Sequence, residues 1–286
     1  MKWEDLQPGF CEGILTGPPE IFNSISSIAM VFYGLCGIFI TRNNNILLRV
    51  ISSLLAVCGI GSIVYHATMH FGWGIIDSMP MLISSYIGAY MSVDIIIYKK
   101  YYLDKIINKE GEPQLLRRYE KISGFLAFIF SLMLTFAIAL SSAEETAHLF
   151  SIWFLIAELI IGVSVIVIRY NTHVEDSLPE NDQEFAKAFK IMGGGFGCAI
   201  LAAIFWFTTE NLCLTYTWLR YLQAHSIWHI AISIGMYFLM QFLVFINNYN
   251  KKLNPYWVKG DTKLQKIFYA LVPSVGNARE IYHFDE

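Results

Sequence analysis

The chain has 286 residues, of which 55% are hydrophobic, 15% aromatic and only 15% charged, and its mean hydropathy is +0.48. That is more apolar surface than one aqueous core can hide, so an ordinary soluble domain is excluded. A net charge of −3, with no basic stripe carrying interleaved aromatics, excludes a nucleic-acid partner.

The chain opens Met1-Lys2-Trp3-Glu4-Asp5, too acidic for the n-region of a secretory signal, so the first hydrophobic stretch is expected to persist as a span. Residues 1–20 precede it as an outer segment carrying Cys11, Glu12 and Glu20. Crossing a bilayer core takes about 20 apolar residues in helical form, because lipid offers the backbone no hydrogen-bond partner. Seven stretches qualify: 21–40, 50–69, 75–97, 122–140, 149–168, 191–209 and 224–246. No internal repeat or low-complexity linker divides them. The expectation is therefore a single all-α membrane domain over 1–286, with seven transmembrane helices and a cytosolic tail at 247–286.

Charged or metal-binding side chains inside these spans are few, and each is expensive enough to be read for function. In the second span, Gly59-Ile60-Gly61-Ser62-Ile63-Val64-Tyr65-His66 puts Ser62 and His66 one turn apart on one face, beside glycines that allow close helix approach. The third span starts with Asp77, followed by Pro80. The seventh starts His225-Ser226-Ile227-Trp228-His229, where two imidazoles at i, i+4 can reach one metal ion from a single helix. His70 and His148 read as interfacial polar residues, Asp94 as a headgroup contact, and the Trp and Tyr residues as interface anchors.

Orientation follows from Lys and Arg. All of them except Lys2 and Arg220 fall after the first, third and fifth spans or in the tail, which by the positive-inside rule places the N-terminus on the non-cytosolic side and the C-terminus in the cytosol. His173 and His283 then lie on the cytosolic side, away from the other histidines. Cys11 and Cys213 share the non-cytosolic side, which is normally oxidising, so a Cys11–Cys213 disulfide is expected, two free thiols being the alternative.

The same topology brings the candidate residues to one depth. The second span exits outward while the third and seventh begin outward, so His66, Asp77, His225 and His229 all lie within roughly one or two turns of the outer boundary, at about 1.5 Å per residue. Three neutral imidazoles make a zinc shell with an open fourth position, suited to activating water. Asp77 is placed to act as general base, and Ser62 to hydrogen-bond a developing oxyanion.

These residues resemble the alkaline ceramidase family, part of a superfamily of seven-span metal hydrolases that also includes the adiponectin-type receptors. The resemblance covers most of the chain. It is carried by Glu20-x-x-Asn23 with Ser26, Gly61-Ser62-x-x-x-His66-Ala67-Thr68, Asp77-x-x-Pro80-Met81, Phe205-Trp206 followed by Glu210-Asn211-x-Cys213, and His225-x-x-Trp228-His229. It implies a zinc amidase that cleaves ceramide to a sphingoid base and a fatty acid. His66, His225 and His229 would bind Zn2+, Asp77 would activate water, and Ser62 would steady the tetrahedral intermediate. It also implies the pairing of Cys11 with Cys213, and a membrane lipid substrate entering from the bilayer, with the site facing the periplasm or the lumen of the endoplasmic reticulum or Golgi. No obligate protein partner is expected. Of the calcium site carried by animal members only Cys11-Glu12 and the later Glu20 remain, and two carboxylates fall short of the six or more oxygens that Ca2+ takes. Two other readings stand beside the ceramidase: a receptor-like sensor with structural zinc, and a zinc hydrolase of another N-acyl or ester lipid. The adiponectin-type receptors have the reverse orientation and a long cytosolic N-terminal region, so the charge pattern favours the enzyme.

Overall fold

The computed structural model describes residues 10–16, 19–39, 46–97, 113–141, 143–175, 183–250 and 255–277. In chain order the elements are α1 (Cys11–Thr16), α2 (Ile21–Ser26), α3 (Ile28–Phe39), α4 (Ile46–Thr68), α5 (Phe71–Ile97), α6 (Pro113–Ala139), α7 (Ala143–Glu175) and α8 (Gln183–Leu212). A 3-10 turn (Thr217–Leu222), α9 (Ala224–Asn250), β1 (Pro255–Trp257), α10 (Lys263–Leu271) and β2 (Val275–Asn277) follow. Among the described residues seven stretches are long and apolar enough to cross a bilayer, in the order expected: α2 with α3, then α4, α5, α6, α7, α8, and the 3-10 turn with α9.

The seventh span sits at the centre, 78% buried inside the bundle, against 22% for each of the fourth, fifth and sixth. Its residues Tyr237, Phe242 and Leu243 have no exposed surface. Phe125, Met133, Leu159, Val163 and Leu201 on the peripheral helices instead point outward, as expected of helices whose outer solvent is lipid. Around α9 the helices approach closely where side chains are missing. A Cβ on Gly59 of α4 would lie 2.7 Å from the Val31 nitrogen of α3, and one on Gly61 would lie 2.7 Å from the Ile76 carbonyl carbon of α5. Pro80, inside α5, has no amide hydrogen to give that same carbonyl.

Two features depart from the sequence reading. The first span is interrupted by a turn at Ser27, where the hydroxyls of Ser26 and Ser27 both donate to the Asn23 carbonyl, at 3.0 and 2.7 Å. Such side-chain bonds compete with the helical ladder. The described part of the tail, 255–277, is docked on the bundle. β1 and β2 pair antiparallel, Trp257 stacks on Phe245 of α9 with ring centroids 5.4 Å apart, and its backbone and indole N–H groups donate to Glu184 at 2.9 and 3.0 Å. Tyr33 and Tyr237 donate their hydroxyls to the carbonyls of Leu271 and Pro273.

Candidate metal centre

Three histidines from two distant stretches of chain converge where α4 ends and α9 begins. His66, His225 and His229 are all buried, and each offers a ring nitrogen within 4.8 Å of the others. Their ring centroids are 4.5 to 5.0 Å apart. The i, i+4 spacing puts His225 and His229 on one face of α9.

The outward-facing nitrogens of two of these rings are fixed by hydrogen bonds. His66 Nδ1 lies 2.6 Å from Glu20 Oε2, and His229 Nδ1 lies 3.1 Å from the Asn23 carbonyl. A carboxylate and a carbonyl only accept, so each ring carries its proton on Nδ1 and keeps the Nε2 lone pair for a ligand. His66 Nε2 is buried with no hydrogen-bond partner, and so is His225 Nδ1. Orphaned imidazole nitrogens are costly in such a place, and a divalent ion among three of them would relieve that cost. The donor set, all nitrogen and three in number, suits zinc with one position left open.

Glu20 organises the surroundings. Its Oε1 accepts the amides of Phe10 and Gly13, at 2.6 and 3.1 Å, and its Oε2 accepts the Asn23 side-chain amide at 3.0 Å. Burial pushes this carboxyl up, but the His66 ring and the amides of Asn23 and Phe10 outweigh it and hold Glu20 below the usual carboxylate range. Glu12 accepts the amides of Phe22 and Asn23, at 3.1 and 3.2 Å, at the start of α2. Both acids of the expected calcium remnant are therefore turned toward N–H donors, which a calcium ion would have to displace, so the arrangement does not fit Ca2+.

Asp77 stands at the edge of the cluster on α5. Its carboxylate accepts from the Ser62 hydroxyl, and the Cys58 thiol donates to its backbone carbonyl at 2.9 Å and faces its Oδ1 at 3.7 Å. Ser62 has no exposed surface and is itself 2.9 Å from Ser27 Oγ. Its hydroxyl donates to Asp77 and does not line the cavity. Asp77, His225 and His229 do line a cavity of about 240 Å³, walled by Tyr65, Phe150, Trp206 and Trp228 and covered by Phe10, whose ring lies 3.9 Å from that of His225.

Cys11 and Cys213 are neighbours but not a disulfide. All five cysteines are free thiols, and these two meet as hydrogen-bond partners rather than at bonding distance, which corrects the expected cross-link. Burial, the Cys213 thiol and the Glu210 carboxylate push the Cys11 thiol well up, so it holds its proton. The Cys11 amide donates to Glu210 at 2.7 Å, which ties the N-terminal segment to the end of α8.

Ser27 and Ser226, which bond His229 and Asn23, and Glu158, an acid inside the fifth span that accepts from Ser85 at 2.9 Å, stand outside the residues expected from the sequence. A lone carboxylate in an apolar span was signal enough for Glu158. Nothing in the sequence separates Ser27 from serines that merely pack.

The sequence profile of the ceramidase family matches residues 11–267. Two proteins of Dictyostelium discoideum provisionally named alkaline ceramidases, dcd3B and dcd3A, are each 24% identical over 261 and 262 residues, 82% of this chain and 85% and 84% of theirs.

Proposed function

The chain belongs to the ceramidase family, and from that premise we propose that it is an intramembrane zinc-dependent amidase that hydrolyses ceramide, or a related N-acyl sphingoid lipid, to a sphingoid base and a fatty acid. The observation that carries this reading is the closure of His66, His225 and His229 to within 4.8 Å beside a cavity lined by His225, His229 and Asp77. His66, His225 and His229 would hold the ion. When bound, zinc supplies Lewis acidity toward the amide carbonyl and acidifies water.

The protein's own groups do the rest. Asp77 takes a proton from the attacking water and delivers it to the amine of the departing sphingoid base, the exchange a general base completes by acting afterwards as an acid. Ser62 and Cys58 hold Asp77 in place. Glu20 and Asn23 fix the proton on Nδ1 of His66 and His229, so neither ring can turn its donor side inward. Phe10, Trp206 and Trp228 screen the site from bulk water. A cavity of about 240 Å³ falls below the size of pockets that enclose a drug-sized ligand, so it takes the amide and its hydroxyls while the two hydrocarbon chains stay in lipid.

Incubation of the detergent-purified chain with ceramides, followed by mass spectrometry, tests the reading. Release of sphingoid base is expected from the native protein and loss of it from His66→Ala. Asp77→Asn should keep its metal while losing about 10²–10⁴-fold in rate. Cleavage confined to an N-acyl lipid without a sphingoid base would reassign the substrate, and undiminished turnover by His66→Ala would end the zinc mechanism.

A further inference from the structure

Helix α10 presents an apolar face that no part of the described chain covers. Leu264, Ile267, Phe268 and Leu271 recur at i, i+3, i+4 and i+7 and are 80%, 51%, 36% and 59% exposed. Lys266 lies on the opposite face and Lys263 at the flank of the apolar one. The helix is well made, with a capping box in which Thr262 and Gln265 satisfy one another's amides, so its exposed face belongs to a formed element.

Where α10 sits says what meets that face. Its last residue, Leu271, accepts the hydroxyl of Tyr33, six residues and so about 9 Å before the end of α3. Two residues further, Pro273 accepts the hydroxyl of Tyr237, twelve residues before the end of the seventh span. The chain then continues buried through Ser274 and Val275. The C-terminal end of α10 therefore lies at a depth where the bundle's own surface faces lipid, as Phe32, Leu35 and Phe39 do on α3 at 45%, 43% and 78% exposure. An apolar helix face at that depth continues the lipid-facing surface. We propose that α10 is a membrane-embedded interfacial helix, seated in the leaflet opposite the metal centre, with Lys263 and Lys266 reaching its phosphate groups. Amphipathic helices of this kind seat about 5–10 Å below the headgroups, and lysine stems let the charges reach back to the surface. The tail is then a foot that braces the inner ends of α3 and α9.

Site-directed spin labelling of the full chain in nanodiscs of phosphatidylcholine and phosphatidylglycerol tests this. Cys198 is replaced by serine, because the other four cysteines are buried, and single cysteines are placed at 263, 264, 266, 267, 268 and 271. These positions are exposed, so the labels leave the fold intact, and far-ultraviolet circular dichroism checks that they do. Labels at 264, 267, 268 and 271 are expected to collide more with oxygen than with a nickel chelate, and those at 263 and 266 to show the reverse. Nickel access at 264 and 268 equal to that at 263 and 266 would overturn the proposal. So would exclusion of both reagents from the apolar face, which would put another protein or a second copy there.

Discussion

Glu20 gathers hydrogen bonds from Phe10, Gly13, Asn23 and His66, and thereby joins the N-terminal segment, the first span and the metal centre through one carboxylate. Glu20→Gln keeps the shape and removes the charge, so zinc affinity measured by chelator competition should fall by about 10–100-fold, the usual loss when a ligand's partner is altered. The sign of the pH effect follows from the lowered pKa. The stabilisation is complete above the unfolded value of about 4.3 and is lost as pH falls through the lower folded value, so the melting curves of native and Glu20→Gln proteins should differ at neutral pH and converge in acid. At this scale the sequence showed the imidazoles and Asp77 plainly, because i, i+4 spacing and the alternating direction of spans fix their depth. It did not show Ser62 turned toward Asp77, since rotamer choice depends on which neighbour offers an acceptor.

Between elements, the close passage of α4 along α3 and α5 decides whether the site closes at all. Gly61 holds α4 against the peptide between Ile76 and Asp77, which is also what sets Ser62 against the Asp77 carboxylate. Gly61→Ala should cost about 1–3 kcal/mol as an overpacked contact, whereas Gly193→Ala, in α8 with nothing within 4 Å of the added carbon, should leave stability unchanged or raise it. Thermal unfolding of the two variants in one detergent compares them, and equal destabilisation would contradict the packing argument. The seven spans were legible as long apolar runs, and the glycines of the second as a close-packing signal. The break at Ser27 was not, because the apolar run continues through it and only the converging bonds from Ser26, Ser27 and His229 to Asn23 explain it. The docked tail was missed because short strands and a helix rich in lysine read as solvated chain until Trp257 is seen stacked on Phe245.

For the whole molecule, the charge pattern and the fold divide the chain into two ends: a metal centre beneath one surface and a braced, basic end at the other. We propose that the metal-bearing end faces away from the cytosol. A membrane-impermeant maleimide applied to intact cells should label Tyr216→Cys, exposed beside the metal-bearing end, and should reach Lys259→Cys only after permeabilisation, both in a Cys198→Ser background. The opposite pattern would invert the orientation without touching the chemistry. The chemistry is tested most directly by counting zinc and turnover in one purified preparation, before chelation, after it, and after zinc is returned. About one zinc per chain is predicted, with release of sphingoid base from ceramide lost on chelation and restored with the metal; a metal-free protein that cleaves ceramide at the full rate would contradict it.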